Sequence, residues 1–383
     1  MQQHARLGIA PPIGRAARVL AIVATALAAA ATIRNFGVGS GGVSKDRDPA
    51  FRRIRPGRLC AALAATATAM GLHGLAGATP YQPAQLAHGD VRIWGSPDDG
   101  PLIAQWSAAF AKLQPDVRVI ATLHGPESTM AGIYTGVADL SLIGRELRLP
   151  VDNMAFEWVK LHKPTVLEIA NASLTAPRQA VNLAVFVNPA NPVAGLTLAQ
   201  LDGIFGAEHR RAPATLHTWG DLGLQGEWRD RTIRVIAPPV ESIPALYFRK
   251  TVLKDSYKWN PVLEEVDSAA RAVAIVAADP AAIVYAPMPE QRAGVKAVPL
   301  AASADAPFVT LTPATAADRS YPMARTVHVA FDRDPARPLA PPVNEFLRFV
   351  LSDEGQAAVA REGSYVPLLA ASAQQQLKKL DGR

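Results

Sequence analysis

The hydrophobic positions between residues 91 and 142 change repeatedly from strand spacing to helix spacing. Apolar residues recur at helical spacing at Leu102, Trp106, Phe110 and Leu113. A second short helix is predicted from about Ser128 to Tyr134. Strands are predicted on either side of these helices, at Val91–Trp94, Val117–Leu123 and Ala138–Ile143. Strands that alternate with helices are typical of a parallel sheet covered by helices on both faces.

The same alternation restarts at residue 181 and continues into the C-terminal tail. Further strands are predicted at Val181–Val187, Thr232–Ile236, Ala282–Tyr285, Val295–Pro299 and Val327–Phe331. Further helices are predicted at Leu198–Phe205, Ser242–Val252, Ser268–Ala278, Val343–Leu351 and Asp353–Arg361. Gly206 and Gly363 follow two of these helices, where glycine commonly ends a helix. The pattern predicts an α/β protein, and the length of 383 residues favours two domains.

The positive charge of the chain is concentrated at its N-terminus. The chain has 39 Lys and Arg and 33 Asp and Glu, for a formal net charge of +6. Ten of these basic residues and two of the acids lie in residues 1–78, so 29 basic and 31 acidic residues remain in 79–383. A nearly neutral body does not form the basic surface that nucleic-acid binding needs. We therefore expect no nucleic-acid partner.

The body of the chain lacks cysteine and the common catalytic and metal-binding motifs. The single cysteine, Cys60, precedes residue 79, so the body has no disulfide, thiolate metal site or cysteine nucleophile. The sequence contains no G-x-S-x-G, H-E-x-x-H or Walker-A motif, and the histidines show no metal-ligand spacing. We expect a protein that is not an enzyme and that uses neither a cofactor nor a metal.

Residues 51–78 have the three parts of a secretory signal peptide. A basic stretch at 51–58 precedes an apolar core at 59–72, and Ala76-Gly77-Ala78 is an A-x-A cleavage site. The mature protein is therefore expected to begin near Thr79, in the periplasm. The preceding residues 1–50 have two interpretations. Either the translation start has been placed too far upstream, or these residues form a disordered or membrane-associated extension.

Four motifs, in a fixed order along residues 90–370, carry a family resemblance. The second and best-defined motif combines LTLAQLDGIFG (196–206) and WGDLG (219–223), preceded by the strand and turn VNLAVFVNPANP (181–192). The others are GVADLSLIGREL (136–147), YPMARTVHVAF (321–331) and FLRFVLSDEGQAAVAREGSYVPL (346–368). Together they resemble the phosphate-type periplasmic solute-binding proteins of ABC importers.

The resemblance implies a two-lobed periplasmic-binding-protein fold of type II, with the ligand cleft between the lobes. Residues 79–180 would form the first part of lobe 1, residues 181–300 lobe 2, and residues 301–383 the return to lobe 1 and the C-terminal helices. It also implies a small oxyanion such as phosphate as the ligand, an ABC permease as a partner, and a monomer. The alternative is a divergent member that binds another small solute or serves as a periplasmic adaptor without transport.

Family members hold the anion at three turns. These are a Gly-Ser turn after the first strand, a Gly-rich turn after the second, and an Arg-x-x-Ser-Gly-Thr turn that opens a helix of the second lobe. Helix N-termini present backbone N–H groups and a partial positive charge to the anion there. Carried over to this chain, the predicted ligand-binding residues are Ser96, Gly125, Ser128, Thr129, Arg145 and Ser242.

This chain departs from the family pattern at the second and third turns. Glu127 lies in the second turn, where an anion should be attracted. The third turn reads APPVESIP (237–244), so it lacks the arginine and keeps Ser242 as its one hydroxyl. Two of the assignments have a structural alternative: Ser96 as a helix cap only, and Arg145 as part of a surface or lobe–lobe salt bridge.

Overall fold

The structure is a computed structural model that describes residues 79–148, 151–176, 178, 180–334 and 337–382. The predicted extension at 1–50 and signal peptide at 51–78 lie outside the described residues. Within the part of the chain that is described, no helix combines the length and the apolar character needed to cross a membrane. The described residues form two five-stranded sheets, each packed around its own hydrophobic core.

The secondary structure alternates between strands and helices along the whole described chain. In chain order, the strands are β1 (Gly89–Gly95), β2 (Val117–Thr122), β3 (Leu140–Leu142), β4 (Thr165–Asn171), β5 (Leu183–Val187), β6 (Leu196–Thr197), β7 (Arg234–Ala237), β8 (Glu264–Glu265), β9 (Ala282–Pro287), β10 (Lys296–Ala297), β11 (Leu300–Ala301) and β12 (Thr326–Phe331). The helices are α1 (Gly100–Phe110), α2 (Pro126–Tyr134), α3 (Val151–Lys160), α4 (Leu198–Phe205), α5 (Ile243–Thr251), α6 (Ala269–Ala278), α7 (Pro313–Ala317), α8 (Pro341–Val350), α9 (Asp353–Glu362) and α10 (Ala370–Leu380). Short 3₁₀ helices lie at Pro97–Asp99, Trp219–Leu222, Gly226–Trp228 and Met288–Glu290.

The first lobe is built on a sheet with the strand order β2-β1-β3-β12-β4. One face packs against α1, α8 and α9, where the rings of Phe110 and Phe346 meet edge to face at 5.3 Å. The other face packs against α2 and α3 through a smaller cluster that includes Ile133 and Phe156. Both faces are therefore covered, as the alternation of strands and helices predicts.

The second lobe is built on a sheet with the strand order β10-β5-β9-β7-β8, beside a small two-stranded sheet of β6 and β11. The rings of Phe248 and Tyr285 stack in its core with their centres 4.0 Å apart. This core extends beyond the predicted end of the lobe at residue 300, because Leu311, Tyr321 and Met323 also belong to it. The chain leaves the second lobe only just before β12.

The strands β1, β2 and β3 pair in parallel, as the alternation over residues 91–142 predicts. Each complete sheet is nevertheless mixed. In the first sheet β12 runs antiparallel to both of its neighbours, β3 and β4. In the second sheet β5 runs antiparallel to β9 and β10, whereas β7 is parallel to β8 and β9. The reversed strand in each sheet is the one that arrives from the other lobe. It enters the sheet from the side of the crossing, so it runs opposite to the strands that begin at the far end.

Close backbone approach explains a glycine of the WGDLG motif. A Cβ atom on Gly220 would lie 2.2 Å from the carbonyl oxygen of Arg229, so no larger residue fits. The backbone of Gly223 has a φ of 89°, in the left-handed region that glycine adopts most easily. Trp219 of the same motif is fully buried in the second core. The motif is therefore a structural element of the second lobe.

The two lobes are joined at a pair of adjacent crossings, one at residues 172–182 and one at residues 324–326. The Asn182 side chain donates to the carbonyl of Ala172 at 2.9 Å and accepts from the backbone N–H of Arg325, also at 2.9 Å. The N–H of Ala172 in turn donates to the Arg325 carbonyl at 2.9 Å. Asn182 is fully buried, so it ties the two crossings into one connection. Such a short double connection permits hinge closure of the lobes.

Candidate functional site

A cavity of about 440 Å³ lies between the two lobes. Residues 145–148 and Val151 line it from the first lobe. The second-lobe wall consists of Glu241, Ile243, Leu246, Tyr247, Arg249, Lys250, Asp255 and Tyr257. Most of that wall belongs to α5 and the residues next to it. Because each lobe supplies one wall, opening or closing the lobes changes the shape of the cavity.

Arg145 lies in the cavity wall, but carboxylates of its own lobe already contact it. Its side chain is only 1% exposed, and its NH1 group donates to Oδ2 of Asp152 at 2.7 Å. Its NH2 group lies 3.6 Å from Oε1 of Glu127, which also pairs with Arg148. The predicted cation is thus next to the cavity, inside a cluster of two arginines and two acids. Its Nε atom has no hydrogen-bond partner among the described residues.

Asp152 is the structural anchor of this cluster. It lies in the first turn of α3, and it also accepts from the backbone N–H of Arg148 at 2.6 Å. Burial alone raises the pKa of Asp152, but the hydrogen bonds and charges of Arg145 and Arg148 outweigh it. The pKa of this carboxyl group is therefore below its ordinary value. The group stays ionised and balances the buried Arg145 charge.

The predicted hydroxyl residues of the first lobe are bonded within their own helical segments. Ser96 is buried, and its Oγ accepts from the N–H of Asp98 at 3.3 Å. The Ser128 hydroxyl donates to the Gly125 carbonyl at 2.9 Å, and the Thr129 hydroxyl donates to a carbonyl one turn earlier at 2.8 Å. Gly125 itself has a φ of 113°, and a Cβ there would meet no atom within 4 Å. The first lobe thus has open space at the start of α2.

Ser242 plays the same local role in the second lobe. It is the N-cap of α5, and its Oγ accepts from the N–H of Ala245 at 3.4 Å. Of the six predicted ligand residues, the structure puts Arg145 in the wall of the interlobe cavity. The other five are not part of that wall. All six remain predictions as ligand contacts.

Two buried side chains, one of them in the cavity wall, have no counterpart among the sequence predictions. Arg249 faces the cavity from α5, and its guanidinium carbon lies 3.7 Å from the centre of the Tyr257 ring. Basic residues in the last turn of a helix usually make favourable contact with the helix dipole, so the sequence alone provides no reason to single out Arg249. Asp99 is the second such side chain.

Asp99 is a fully buried acid just before α1. Its Oδ1 accepts from the Tyr365 hydroxyl at 2.7 Å, and its Oδ2 has no partner among the described residues. Burial raises the pKa of Asp99 to about 7, more than the Tyr365 hydrogen bond lowers it. The folded protein therefore holds a proton on Asp99 at a pH where an unfolded chain has lost it.

We expect Asp99 to make the protein less stable as the pH rises from about 4 through 7. Between those values the folded state binds the extra proton, so raising the pH favours the unfolded state. Asp99→Asn should be more stable than the parent protein at pH 8, with a smaller difference at pH 5. Urea unfolding at both pH values measures this, with the exposed Asp230→Asn as the control. An equal difference at the two pH values would contradict the assignment.

The comparisons with known proteins agree with this architecture. A family profile described as a PBP superfamily domain matches residues 80–354. The phosphate-binding protein PstS of Pseudomonas aeruginosa is 31% identical over 329 residues, which cover 84% of this chain and 98% of the relative. The crystal structure of PstS from Borrelia burgdorferi superposes with a TM-score of 0.50 at 16% identity, covering 73% of this chain and 99% of that one. At that identity the structural likeness supports the two-lobed fold alone.

Proposed function

This chain belongs to the PBP superfamily and, within it, to the family of the phosphate-binding protein PstS, and we propose that it captures phosphate for an ABC importer. The observation that carries this proposal is the position of the cavity between the lobes. Its first wall includes Arg145 and Arg148, and its second wall includes Arg249 and Lys250. These four basic side chains outnumber the three acids of the walls, Glu146, Glu241 and Asp255, so the cavity favours an anion. An anion that contacts both walls stabilises the closed form.

Closure about the hinge would give the ligand-bound protein a different shape from the free protein, and a transporter could recognise that difference. A ligand that touches both walls binds the closed form more tightly than the open form, so it shifts the population toward closure. The crossings at Ala172 and Arg325 are short and held by Asn182. The motion would therefore be a rotation of two rigid lobes.

Calorimetric titration of the purified protein with inorganic phosphate tests the proposal. We expect saturable binding with a Kd in the micromolar range or below, and weaker binding of sulfate at the same ionic strength. Small-angle scattering with and without phosphate should show a more compact protein in the bound state. Absence of binding at millimolar phosphate would overturn the proposal.

Glu127→Gln is expected to raise phosphate affinity about three- to tenfold. The Glu127 carboxylate lies 3.6 Å from Arg145 and also pairs with Arg148, so it competes with an incoming anion for both guanidinium groups. Titration at low and physiological salt measures the change, and the gain should shrink as salt rises. Glu227→Gln removes the same charge from an exposed position remote from the cavity and serves as the control. Unchanged affinity in Glu127→Gln would show that Arg145 and Arg148 do not contact the ligand.

A second candidate is a different small anion. Two observations favour it: the predicted hydroxyls are bonded within their own helices, and apolar Leu147, Ile243 and Leu246 share the cavity wall with the basic residues. Thermal unfolding in the presence of molybdate, sulfate, simple carboxylates and phosphate monoesters separates the two candidates. A larger rise in Tm with one of these than with phosphate would favour the second.

The proposal extends to where and how the protein works. Export would use the predicted signal peptide at 51–78, and the mature protein would act as a periplasmic monomer that delivers its ligand unchanged to an ABC permease. The absence of catalytic motifs supports a role in binding. Sequencing the N-terminus of the periplasmic protein tests the export route, since a start near Thr79 is expected. A mature N-terminus before residue 51 would contradict it.

A further inference from the structure

Arg249 is a nearly buried cation that has no counter-charge among the described residues. It lies in α5, is 8% exposed, and is part of the second-lobe wall of the interlobe cavity. Within the described part of the chain, no hydrogen bond or ion pair reaches its guanidinium group, and its Nε is a buried atom without a partner. A buried charge in a folded protein is normally paired. Among the described residues, the Arg249 charge has no partner, and it lies at the wall of a cavity.

Tyr257 fixes the orientation of this guanidinium group. The guanidinium carbon of Arg249 lies over the Tyr257 ring, 3.7 Å from its centre, as in a cation–π contact. A ring on one face leaves the N–H donors free, because they all point outward in the plane of the group. The stack therefore holds the fork in place and leaves its donors unused.

Arg145 presents a similar feature on the opposite wall. It is 1% exposed, and its Nε also lacks a partner among the described residues although its other nitrogens are bonded. Two buried guanidinium groups, one from each lobe, thus lie at the same cavity, each with an Nε that has no partner among the described residues. An anion with at least two oxygens is the ligand that can use both.

We propose that Arg249, held against Tyr257, is the second-lobe contact for the anionic group of the ligand. The turn at 237–244 lacks an arginine. Arg249, which lies further along the helix that this turn opens, would contact the anion in its place. Its planar fork suits two oxygens of one group, as in phosphate. The proposal rests on the proposed function, because phosphate is the probe that tests it.

Phosphate titration of matched variants tests the role of Arg249. Arg249→Gln should weaken binding by roughly 30-fold or more, because it removes one partner of a buried charge-assisted contact. Arg249→Lys keeps the charge but loses the fork, so it should bind more weakly than the parent and more tightly than Arg249→Gln. Tyr257→Ala should also weaken binding, whereas Tyr257→Phe should not. Tyr257 is 66% exposed, so its truncation leaves the core intact.

Arg231→Gln is the matched control. Arg231 also stacks over an aromatic ring of the second lobe, at 4.3 Å from the centre of Trp228, but it is not part of the cavity wall. Thermal unfolding of each variant confirms that it is folded. If the parent binds phosphate and folded Arg249→Gln binds within twofold of it, the assignment of Arg249 is overturned and the proposed function stands. If the parent does not bind phosphate at all, both are overturned.

Discussion

Asp152→Ala is expected to lower the free energy of unfolding by about 3–5 kcal/mol, because it leaves a buried arginine without its carboxylate. Arg145 is 1% exposed, and its strongest contact is the 2.7 Å bond to Asp152. The remaining acid, Glu127, lies 3.6 Å away and is largely exposed, so it cannot replace that bond. Urea unfolding at pH 7, followed by tryptophan fluorescence, measures the loss.

The pH dependence of a second variant, Asp152→Asn, gives a further measurement. The pKa of Asp152 is lowered in the folded protein, so its contribution to stability is present above about pH 4 and disappears as the pH falls through the folded-state pKa. The difference between the parent and Asp152→Asn should therefore shrink in acid. A difference that stays constant down to pH 3 would contradict an ionised Asp152.

The double variant Arg145→Met with Asp152→Leu is the control for this pair. It removes both charges and keeps side chains of similar volume, so it should be much more stable than Asp152→Ala. If the double variant is no more stable than Asp152→Ala, the loss comes from the packing of α3 and not from the unpaired Arg145 charge.

Arg325→Met is the second change with a large expected effect, again about 3–5 kcal/mol. Arg325 is fully buried at the return crossing. Its guanidinium donates to Glu146 at 2.7 and 3.2 Å and to the Val181 carbonyl at 2.9 Å. It also lies 4.5 Å from the centre of the Tyr247 ring on α5. The substitution leaves the Glu146 carboxylate and a buried carbonyl without their donor, at the junction of both lobes.

Unfolding of Arg325→Met in guanidinium chloride measures this loss of stability, and Arg319→Met is the matched control. Arg319 pairs with Glu168 at a much more exposed position, so its loss should cost at most about 1 kcal/mol. We also expect Arg325→Met to change phosphate affinity, because Glu146 and Tyr247 both line the cavity. Equal losses of unfolding free energy in the two variants would mean that the buried Arg325–Glu146 pair contributes no more than the exposed Arg319–Glu168 pair.

Local signals predicted much of the fold from sequence. The helix at Leu198–Phe205 has the predicted bounds, since Thr197 and Gln200 form a reciprocal capping box at its start. Gly206 ends it as predicted, but for another reason. Its backbone is extended, and a Cβ there would lie 2.7 Å from Oδ1 of Asp202, so glycine is required by close packing. Gly363, with a φ of 79°, is the left-handed cap that the sequence predicts.

Elements without a clear periodic signal were missed. The helix α3 presents Met154 and Trp158 to solvent and buries Phe156, so its apolar residues do not mark one buried face. The antiparallel direction of β12 could not be predicted from the sequence either, because it depends on where the chain re-enters the first lobe. Local patterns carry no information on that long-range choice.

The candidate site was predictable only in part, for a related reason. Arg145 lies within the motif GVADLSLIGREL (136–147), so the sequence alone identifies it as a candidate. Its neutralisation by Asp152 depends on how α3, an unpredicted helix, packs next to it. Arg249 becomes notable only through what is absent around it, namely a counter-charge within the described residues. Such an absence can be seen in a three-dimensional structure but not in a sequence.

The position of β12 also has a consequence for how the chain can fold. This strand, Thr326–Phe331, lies between β3 and β4, so the first sheet has a gap until the C-terminal part of the chain arrives. Pairing across so long a sequence separation slows folding. A chain that stops before residue 326 would expose the edges of β3 and β4, which invite aggregation. The first lobe is therefore not an independent folding unit, and the protein would reach its native state only after the whole chain has been released.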